Sequence, residues 1–464
     1  MTQLFEPPKP HSHSRTPSKL RRILEGRRSS LGLFSKKSYT MKMGELRGIG
    51  PKIFFLVQPD LVRKLLTSPI HTHPKSHLTE TLLVDLVGQG IFVSNGDTWT
   101  RRRGMVNEAF SAANVSKVFP LMLDAVDDLV ERLSHIEDGS TIPIDTHITH
   151  VTADIIFRTL FSEPLGAEEA HDLFVAFETF QYHTYQHGVW TMAGLPKWLS
   201  PARWRTKKPA NVLRAALARR VDARLAHRAQ GGAAHGDLLD ALMDARDAQG
   251  VAFTREELID EVGVMFLAGH ETSASTLAWT FYLVANAPDV AARLHTEIDT
   301  AIAPGQHLTT SHFRHLPLVR DVFRETLRLY PPVAFVPRSP VVDEKWRDKT
   351  VRAGQAIFVS LWLLHRNGTV WTNPDSFDPD RYATPEGKAA MRAAHLPFSM
   401  GPRVCIGTAF ALQEAAVVIA TIFQRFSFSP EPGHVPQPMA KLTLRSANGI
   451  QLRIHHRAPS NTED

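Results

Sequence analysis

The sequence has almost no cysteine: Cys405 is the sole one in 464 residues. It can form no internal disulfide and cannot belong to a multi-cysteine zinc site. One cysteine also fits a reducing compartment. No apolar run reaches about 18 residues, so no transmembrane helix is expected. Met1 to Ser18 holds Pro, His and Ser but no apolar signal core, and is expected to be a disordered tail. There is no glycine-rich phosphate loop and no internal repeat. Neither charge sign dominates: 53 Lys and Arg face 47 Asp and Glu, for a net charge of +6. The basic excess is partly local, in Arg15, Lys19, Arg21, Arg22, Arg27, Arg28, Lys36 and Lys37. Such a run reads as a solvated face or tail, and nucleic-acid binding is not expected.

What is present is a globular composition, 43% hydrophobic and 22% charged. Length alone suggests roughly two to four domains, though large single domains are common. The lone cysteine sits in Phe398-Ser399-Met400-Gly401-Pro402-Arg403-Val404-Cys405-Ile406-Gly407. An apolar helical run follows, with Ala409, Phe410, Leu412, Ala416, Val417 and Ile419. The thiol therefore falls in a tight loop feeding a helix N-terminus, where free N–H groups and the positive dipole end favour a thiolate. Gly401 and Gly407, with no Cβ, let the backbone approach something large and flat. A lone cysteine is usually a small buried hydrophobe, but the spacing Phe-x-x-Gly-x-Arg-x-Cys-x-Gly is far more specific. It resembles the haem-binding loop of the cytochrome P450 family. The resemblance implies haem b with Cys405 as its axial iron ligand, Phe398 near the sulfur, Gly407 beside it and Arg403 paired with a propionate. A thiolate ligand favours O–O cleavage.

Thr254-Arg255-Glu256-Glu257 is a capping box. No proline follows before Pro288, so about 34 residues at 1.5 Å each give a helix of roughly 50 Å. It is apolar on several faces and is expected to be largely buried. In its middle lies Ala268-Gly269-His270-Glu271-Thr272-Ser273. Charge and hydroxyls in a buried helix are costly unless used. Thr272 could simply bond back to the carbonyl of Ala268 and bend the helix. The stretch also resembles the family's Ala-Gly-x-Glu/Asp-Thr signature. That implies Ala268 against the haem, a groove opened by Gly269, Thr272 bonded to dioxygen and its water, and Glu271 relaying protons. His270 takes the variable place and no role.

Trp99 and Arg103 share a helix face in a stretch opened by Gly96 and running past Phe110. They read either as a packed Trp beside a solvated Arg or as the family's propionate pair. Arg338, after an extended stretch, resembles a further propionate ligand, with Phe335 and Val336 facing substrate. His365-Arg366 resembles a pair near a propionate. Glu325 and Arg328 share a face, by default a surface ion pair of little worth. They resemble the family's buried Glu-x-x-Arg, which implies Arg381 as third partner in a structural lock. Residues 173–200 carry Phe174, Phe177, Phe180, Tyr182, Tyr185, Trp190 and Trp198, as core or as the roof of the substrate pocket. Strands are expected at Lys52–Val57, at Ala356–Leu361, and in a hairpin joining Leu442–Leu444 to Ile450–Ile454 through Asn448-Gly449.

The resemblance covers about residues 35–456 and implies a mainly α fold with small β-sheets (α+β), a triangular prism of helices. Haem lies between the long central helix and the cysteine-loop helix. Residues 19–464 then form one catalytic domain. The implied reaction inserts one oxygen atom from O2 into a small apolar organic substrate. NAD(P)H is the ultimate electron source, through a ferredoxin or flavodoxin-type donor and its reductase. No second motif set for a fused reductase is present. The donor is expected near Arg101, Arg102 and Arg403. The absence of an anchor resembles the soluble bacterial members, hence a cytoplasmic monomer. Two alternatives stand: a peroxide-driven haem peroxygenase, whose members depart from the Glu/Asp-Thr pair, and a non-catalytic haem binder.

Overall fold

The axis of the molecule is the 31-residue helix Arg255–Ala285. In this computed structural model, which describes residues 4–14, 19–46, 52–195, 197–303 and 306–457, it starts at the expected capping box. Thr254 accepts from the Glu257 N–H while the Glu257 carboxylate accepts from Thr254. Nearly every residue from Leu258 to Ala285 is buried, because helices lie against it on several sides: Ile144–Phe161, Pro201–Ala229, Pro317–Leu329 and Thr408–Arg425. Aromatic pairs fix the contacts. Phe266 meets Phe157 edge-on at 5.8 Å, Phe281 stacks on Phe423 at 5.0 Å, and Trp279 stacks on Tyr330 at 3.8 Å. Such pairs add about 0.5–1.5 kcal/mol beyond area burial.

The β-structure is small. One four-stranded sheet runs in the order Met43–Leu46, Ile53–Leu56, Ala356–Ser360, Phe335–Arg338. Its central pair, Ile53–Leu56 with Ala356–Ser360, is parallel and joins segments some 300 residues apart. A three-stranded sheet holds Thr141–Pro143, Gln451–His456 and Phe426–Pro430. The expected hairpin through Asn448-Gly449 does not form. Leu444–Ser446 pairs with Pro438–Ala440, whereas Gln451–His456 pairs with strands of the other sheet. Asn448 instead accepts the Gln437 N–H at 2.8 Å, and its side chain closes a loop between two sheets.

Three further expectations change. Residues 4–14, expected to be disordered, lie extended on the domain. The Phe377 N–H bonds the Phe5 carbonyl at 2.8 Å, the Tyr330 hydroxyl bonds the Pro8 carbonyl at 2.7 Å, and Lys9 pairs with Asp375. Residues 15–18 of that stretch lie outside the described residues. The basic helix is Lys19–Arg28. The helix opened by Gly96 stops at Ala109, and a short helix, Ala112–Lys117, restarts after Ser111 caps it. The aromatic segment divides. Phe177, Phe180 and Tyr185 are buried, but Tyr182 and Trp198 are exposed, Tyr182 with the Lys441 ammonium 5.6 Å from its ring centre.

The expected lock is present and buried. Glu325 and Arg328 are both 0% exposed and Arg381 is 6% exposed. Arg328 grips Glu325 through two bonds of 2.7 and 2.8 Å, and Arg381 adds one of 2.9 Å. The Tyr382 hydroxyl donates to the same carboxylate at 2.9 Å. Arg328 also donates to the carbonyls of His365 at 2.9 Å, Pro374 at 2.6 Å and Ser376 at 3.0 Å. His365 and Arg366, expected near a propionate, belong here instead. His365 accepts the Leu396 N–H at 3.0 Å, and Arg366 binds Asp375 at 2.9 Å.

Burial alone pushes the Glu325 carboxyl up, but Arg328 and Arg381 outweigh it and hold the pKa at about 2 against an ordinary 4.5. The depressed folded value means the cluster stabilises fully above about pH 4.5 and loses that contribution as pH falls through about 2. Removing the carboxylate leaves two guanidiniums buried and unpaired. Glu325→Ala is expected to cost about 3–5 kcal/mol in urea unfolding at neutral pH. A mutant with the wild-type midpoint would show the cluster to be inert.

Candidate active site

The cysteine loop is short and folded back on itself. The Cys405 N–H bonds the Phe398 carbonyl at 2.9 Å, which ties the two ends of the loop together through the backbone. A single 3-10 turn, Gly401–Arg403, lies between them. Gly401 has φ of 73°, and a Cβ there would sit 2.2 Å from the Leu66 carbonyl oxygen. Its bareness therefore serves the chain's own packing. Gly407 caps the helix Thr408–Arg425, and a Cβ on it would only reach the Cys405 sulfur at 4.0 Å. Cys405 presents accessible surface although it lies deep among protein atoms. Burial pushes its thiol up, while the Gly407 N–H, the Thr408 hydroxyl and Arg103 pull it down. The helix-end donors are thus in place, but in the protein alone desolvation outweighs them. A bound metal cation reverses that balance, because a coordinating thiol is deprotonated outright.

Beside the loop, four cations converge. Trp99, 6% exposed, is the platform. Arg403 lies over its ring at 4.3 Å, Lys75 at 5.8 Å and Arg103 at 5.9 Å. Arg338 is the fourth, and the main chain at Arg338 bridges to that at Lys75. Asn95 ties the group together, accepting from Arg403 at 2.8 Å and from the Lys75 N–H at 2.9 Å. Among the described residues, these cations find carbonyl and amide oxygens but no carboxylate. Lys75 donates to the carbonyls of Ile91 and Ser94, Arg103 to Val404 at 2.8 Å, and Arg338 to Pro337 at 3.0 Å. The buried Nε of Arg403 has no partner. Burial, then Arg403 and Arg338, lowers the Lys75 pKa well below its ordinary value. Burial holds Arg338 at about 10, and burial with Arg338 and Arg103 holds Arg403 at about 10. Like charges gathered out of water require a counter-charge. A ligand carrying two carboxylates and a thiolate-bound metal fits this donor set.

Sequence reading found Trp99, Arg103, Arg338 and Arg403 but missed Lys75. A lone lysine in a loop carries no signal of its own. Arg101 and Arg102, expected on a donor-facing surface, are both held by acids of the chain, Arg101 at a half-exposed position and Arg102 buried. Arg101 binds Asp247 at 2.6 Å and Glu257 at 2.7 Å. Arg102 is buried against Asp260 at 3.3 Å and Glu261 at 3.4 Å. Val404 and Leu412, beside Cys405 in the chain, are exposed large apolar side chains.

On the long helix, the Thr272 hydroxyl donates to the Ala268 carbonyl at 2.6 Å. That is the back-bond foreseen from spacing, and it leaves the oxygen lone pairs free to accept. A Cβ on Gly269 would sit 2.4 Å from Ile156 Cδ1, so this glycine lets the Ile156 side chain of a neighbouring helix close in. Glu271 is 0% exposed and ion-paired to Arg445, with Thr443 donating to its other oxygen. Arg445 and its neighbours draw its pKa down despite burial. His270 bonds the Phe266 carbonyl at 2.7 Å and lies 4.7 Å from the Phe177 ring. Ser273 donates to Glu414, a buried carboxyl that burial pushes up to about 8. Glu414 was legible as a lone charge in an otherwise apolar helix.

The family profile for cytochrome P450 matches residues 36–454. Cytochrome P450 4A11 of Homo sapiens is 29% identical over 427 residues, covering 88% of this chain and 80% of that protein. Taurochenodeoxycholic 6 alpha-hydroxylase of Sus scrofa is 28% identical over 429 residues, covering 87% of this chain and 82% of that one. The solved haem domain of cytochrome P450DA superposes with a TM-score of 0.82 at 25% identity, over 98% of this chain and 99% of that one. A lone thiol at a helix head, a buried cation cluster and a match across nearly the whole chain have one common reading: this chain belongs to the cytochrome P450 family.

Proposed function

We propose that this haem-thiolate monooxygenase inserts one oxygen atom from O2 into an apolar organic substrate, in a single catalytic domain over residues 19–464. The observation that carries the reading is the sole cysteine beside four unpaired cations. Haem b bound there would supply the oxygen chemistry, with the Cys405 thiolate favouring O–O cleavage. Cys405 would hold the iron. Arg103, Arg338, Arg403 and Lys75 would bind the two carboxylates, with Trp99 beneath the arginines. Phe398 and Gly407 shape the loop around the sulfur, and Ala268 lies one turn before Thr272 on the long helix.

Thr272 and Glu271 are assigned to proton handling. The Thr272 Oγ1 proton is held on the Ala268 carbonyl, so Oγ1 is free to accept a hydrogen bond and to position a water that carries the proton. Glu271 is buried as a carboxylate and held by Arg445, so it must exchange that partner for water to pass a proton. Apolar substrate chemistry is supported by the buried apolar faces of the long helix and by the bile-acid relative. Electrons are assigned to NAD(P)H through a ferredoxin or flavodoxin-type donor docking over Val404 and Leu412. No described helix is long and apolar enough to cross a membrane. A cytoplasmic monomer remains our reading.

Two experiments test this. Cys405→Ala is expected to abolish the thiolate band of the reduced carbon-monoxide complex; a mutant that keeps the band would falsify the ligand assignment. Positioned proton transfer typically contributes about 10²–10⁴-fold, and peroxide needs less of it than O2. Thr272→Ala should therefore keep consuming NAD(P)H while product falls and hydrogen peroxide accumulates. Unchanged product per NAD(P)H would leave Thr272 only its back-bond. A wild type active with peroxide and never with O2 and a competent reductase is a peroxygenase.

A further inference from the structure

The loop from Gly88 to Asn95 joins the helices His77–Val87 and Gly96–Ala109. It carries no ionisable side chain, yet it lies between opposite charges. On one side are two buried acids of the long helix, Asp260 and Glu261. The Gln89 N–H donates to Asp260 at 3.0 Å, and the Ile91 N–H donates to both oxygens of Glu261, at 3.1 and 3.2 Å. A Cβ on Gly88 would sit 1.8 Å from Asp260 Oδ1, so the loop rests directly on the helix. On the other side are the cations of the candidate site. The carbonyls of Ile91 and Ser94 accept from the Lys75 ammonium, and Asn95 accepts from Arg403 and from the Lys75 N–H. Ile91 is the joint: its N–H is on Glu261 and its carbonyl is on Lys75.

One guanidinium serves three acids here. Arg102 lies 3.4 Å from Glu261, 3.3 Å from Asp260 and 3.5 Å from Glu257. Arg214, from the helix Pro201–Ala229, is taken by Asp260 at 2.9 Å. Among the described residues, the charges facing Glu261 are therefore Arg102, Asp260 beside it, and Lys75 beyond the loop. Burial pushes the Glu261 carboxyl up to about 7 from an ordinary 4.5, against the pull of the Ile91 N–H and Arg102. In turn, the Glu261 charge raises the Lys75 pKa, opposing the burial and the neighbouring arginines that lower it.

We propose, building on haem as the ligand of these cations, that Glu261 is a positioning residue for the two cofactor carboxylates. Through Ile91 it fixes the loop carbonyls that hold Lys75, and through space its negative charge keeps Lys75 cationic. The effect has a sign. Above about pH 7 Glu261 is a carboxylate, the Lys75 ammonium is favoured, and the cofactor is held harder. Below about pH 7 Glu261 is neutral and that part of the hold is lost.

The test follows haem transfer from the full-length haem-loaded protein to excess apomyoglobin on both sides of about pH 7, with far-UV circular dichroism as the check of fold. Glu261→Gln keeps an acceptor for the Ile91 N–H and removes the charge. It is expected to release haem at least about fivefold faster than wild type on the alkaline side, the low end of coupling between two sites, and at the wild-type rate on the acid side. With Lys75→Gln already in place, Glu261→Gln should have no further effect. A Glu261→Gln rate equal to wild type on both sides overturns the proposal. So does a rate raised by the same factor on both sides, the mark of a merely structural loss, or an undiminished effect in the Lys75→Gln background. Should Glu261→Gln fail to fold, the wild-type profile decides. A step near pH 7 that Lys75→Gln removes supports the coupling, and a surviving step, or none, overturns it. A wild type that takes up no haem overturns the haem reading and this proposal with it, whereas normal haem uptake with no effect of Glu261 overturns this proposal alone.

Discussion

A carboxylate with no access to water sits where three distant segments meet. Glu325 would be costly to bury alone, and it is held only because two guanidiniums and a phenol close on it. The guanidiniums bring their own backbone with them. Arg328 binds the carbonyls of His365, Pro374 and Ser376, and Arg381 binds that of Thr372 at 2.8 Å. One buried charge therefore fixes the irregular chain from residue 365 to 382, which no helix or sheet would otherwise order. His365 in turn holds the Leu396 N–H, and Leu396 stands just before the cysteine loop. The position of the thiol thus depends on electrostatics settled well away from it.

The second charge problem is left open by the protein, and the two carboxylates of the proposed haem would answer it. Lys75, Arg103, Arg338 and Arg403 repel one another in a site shielded from water. Trp99 softens this, since its ring face attracts cations. Asn95 and several carbonyls supply dipoles. None supplies a full negative charge. The protein therefore keeps in the folded state an unfavourable cluster that a dianionic ligand relieves, and cofactor binding gains what folding gave up. The same logic holds at Cys405, whose thiolate is disfavoured by burial until a metal stands opposite.

On the long helix, polar groups pair in ways that its sequence does not display. Glu271 finds Arg445 and Thr443, and Ser273 finds Glu414, all from segments far along the chain. These pairings make a buried helix with charges in its middle tolerable. Gly269 serves the same packing, letting Ile156 approach where a methyl group would collide.

Much of this was legible in the sequence. Helix boundaries followed from local causes: the capping box at Thr254, the prolines near Pro317 and Pro288, and glycine beside the cysteine. Motif spacing singled out Cys405, Trp99, Arg103, Arg403, Thr272 and the Glu325–Arg328 pair, because each pattern is set within one turn or one loop; Arg338 and Arg381, which reaches Glu325 across 56 residues, came only from the family resemblance. What the sequence could not show is who meets whom across the chain. Lys75 joins the cations, and Arg445 claims Glu271. Arg101 and Arg102 pair with acids more than a hundred residues away. Residues 4–14 lie down on Asp375 and Tyr330, and two C-terminal strands part into separate sheets. Local steric and hydrogen-bonding rules act over a few residues and are written in order along the chain. Burial, desolvation and ion pairing act through space, so only the tertiary structure decided them.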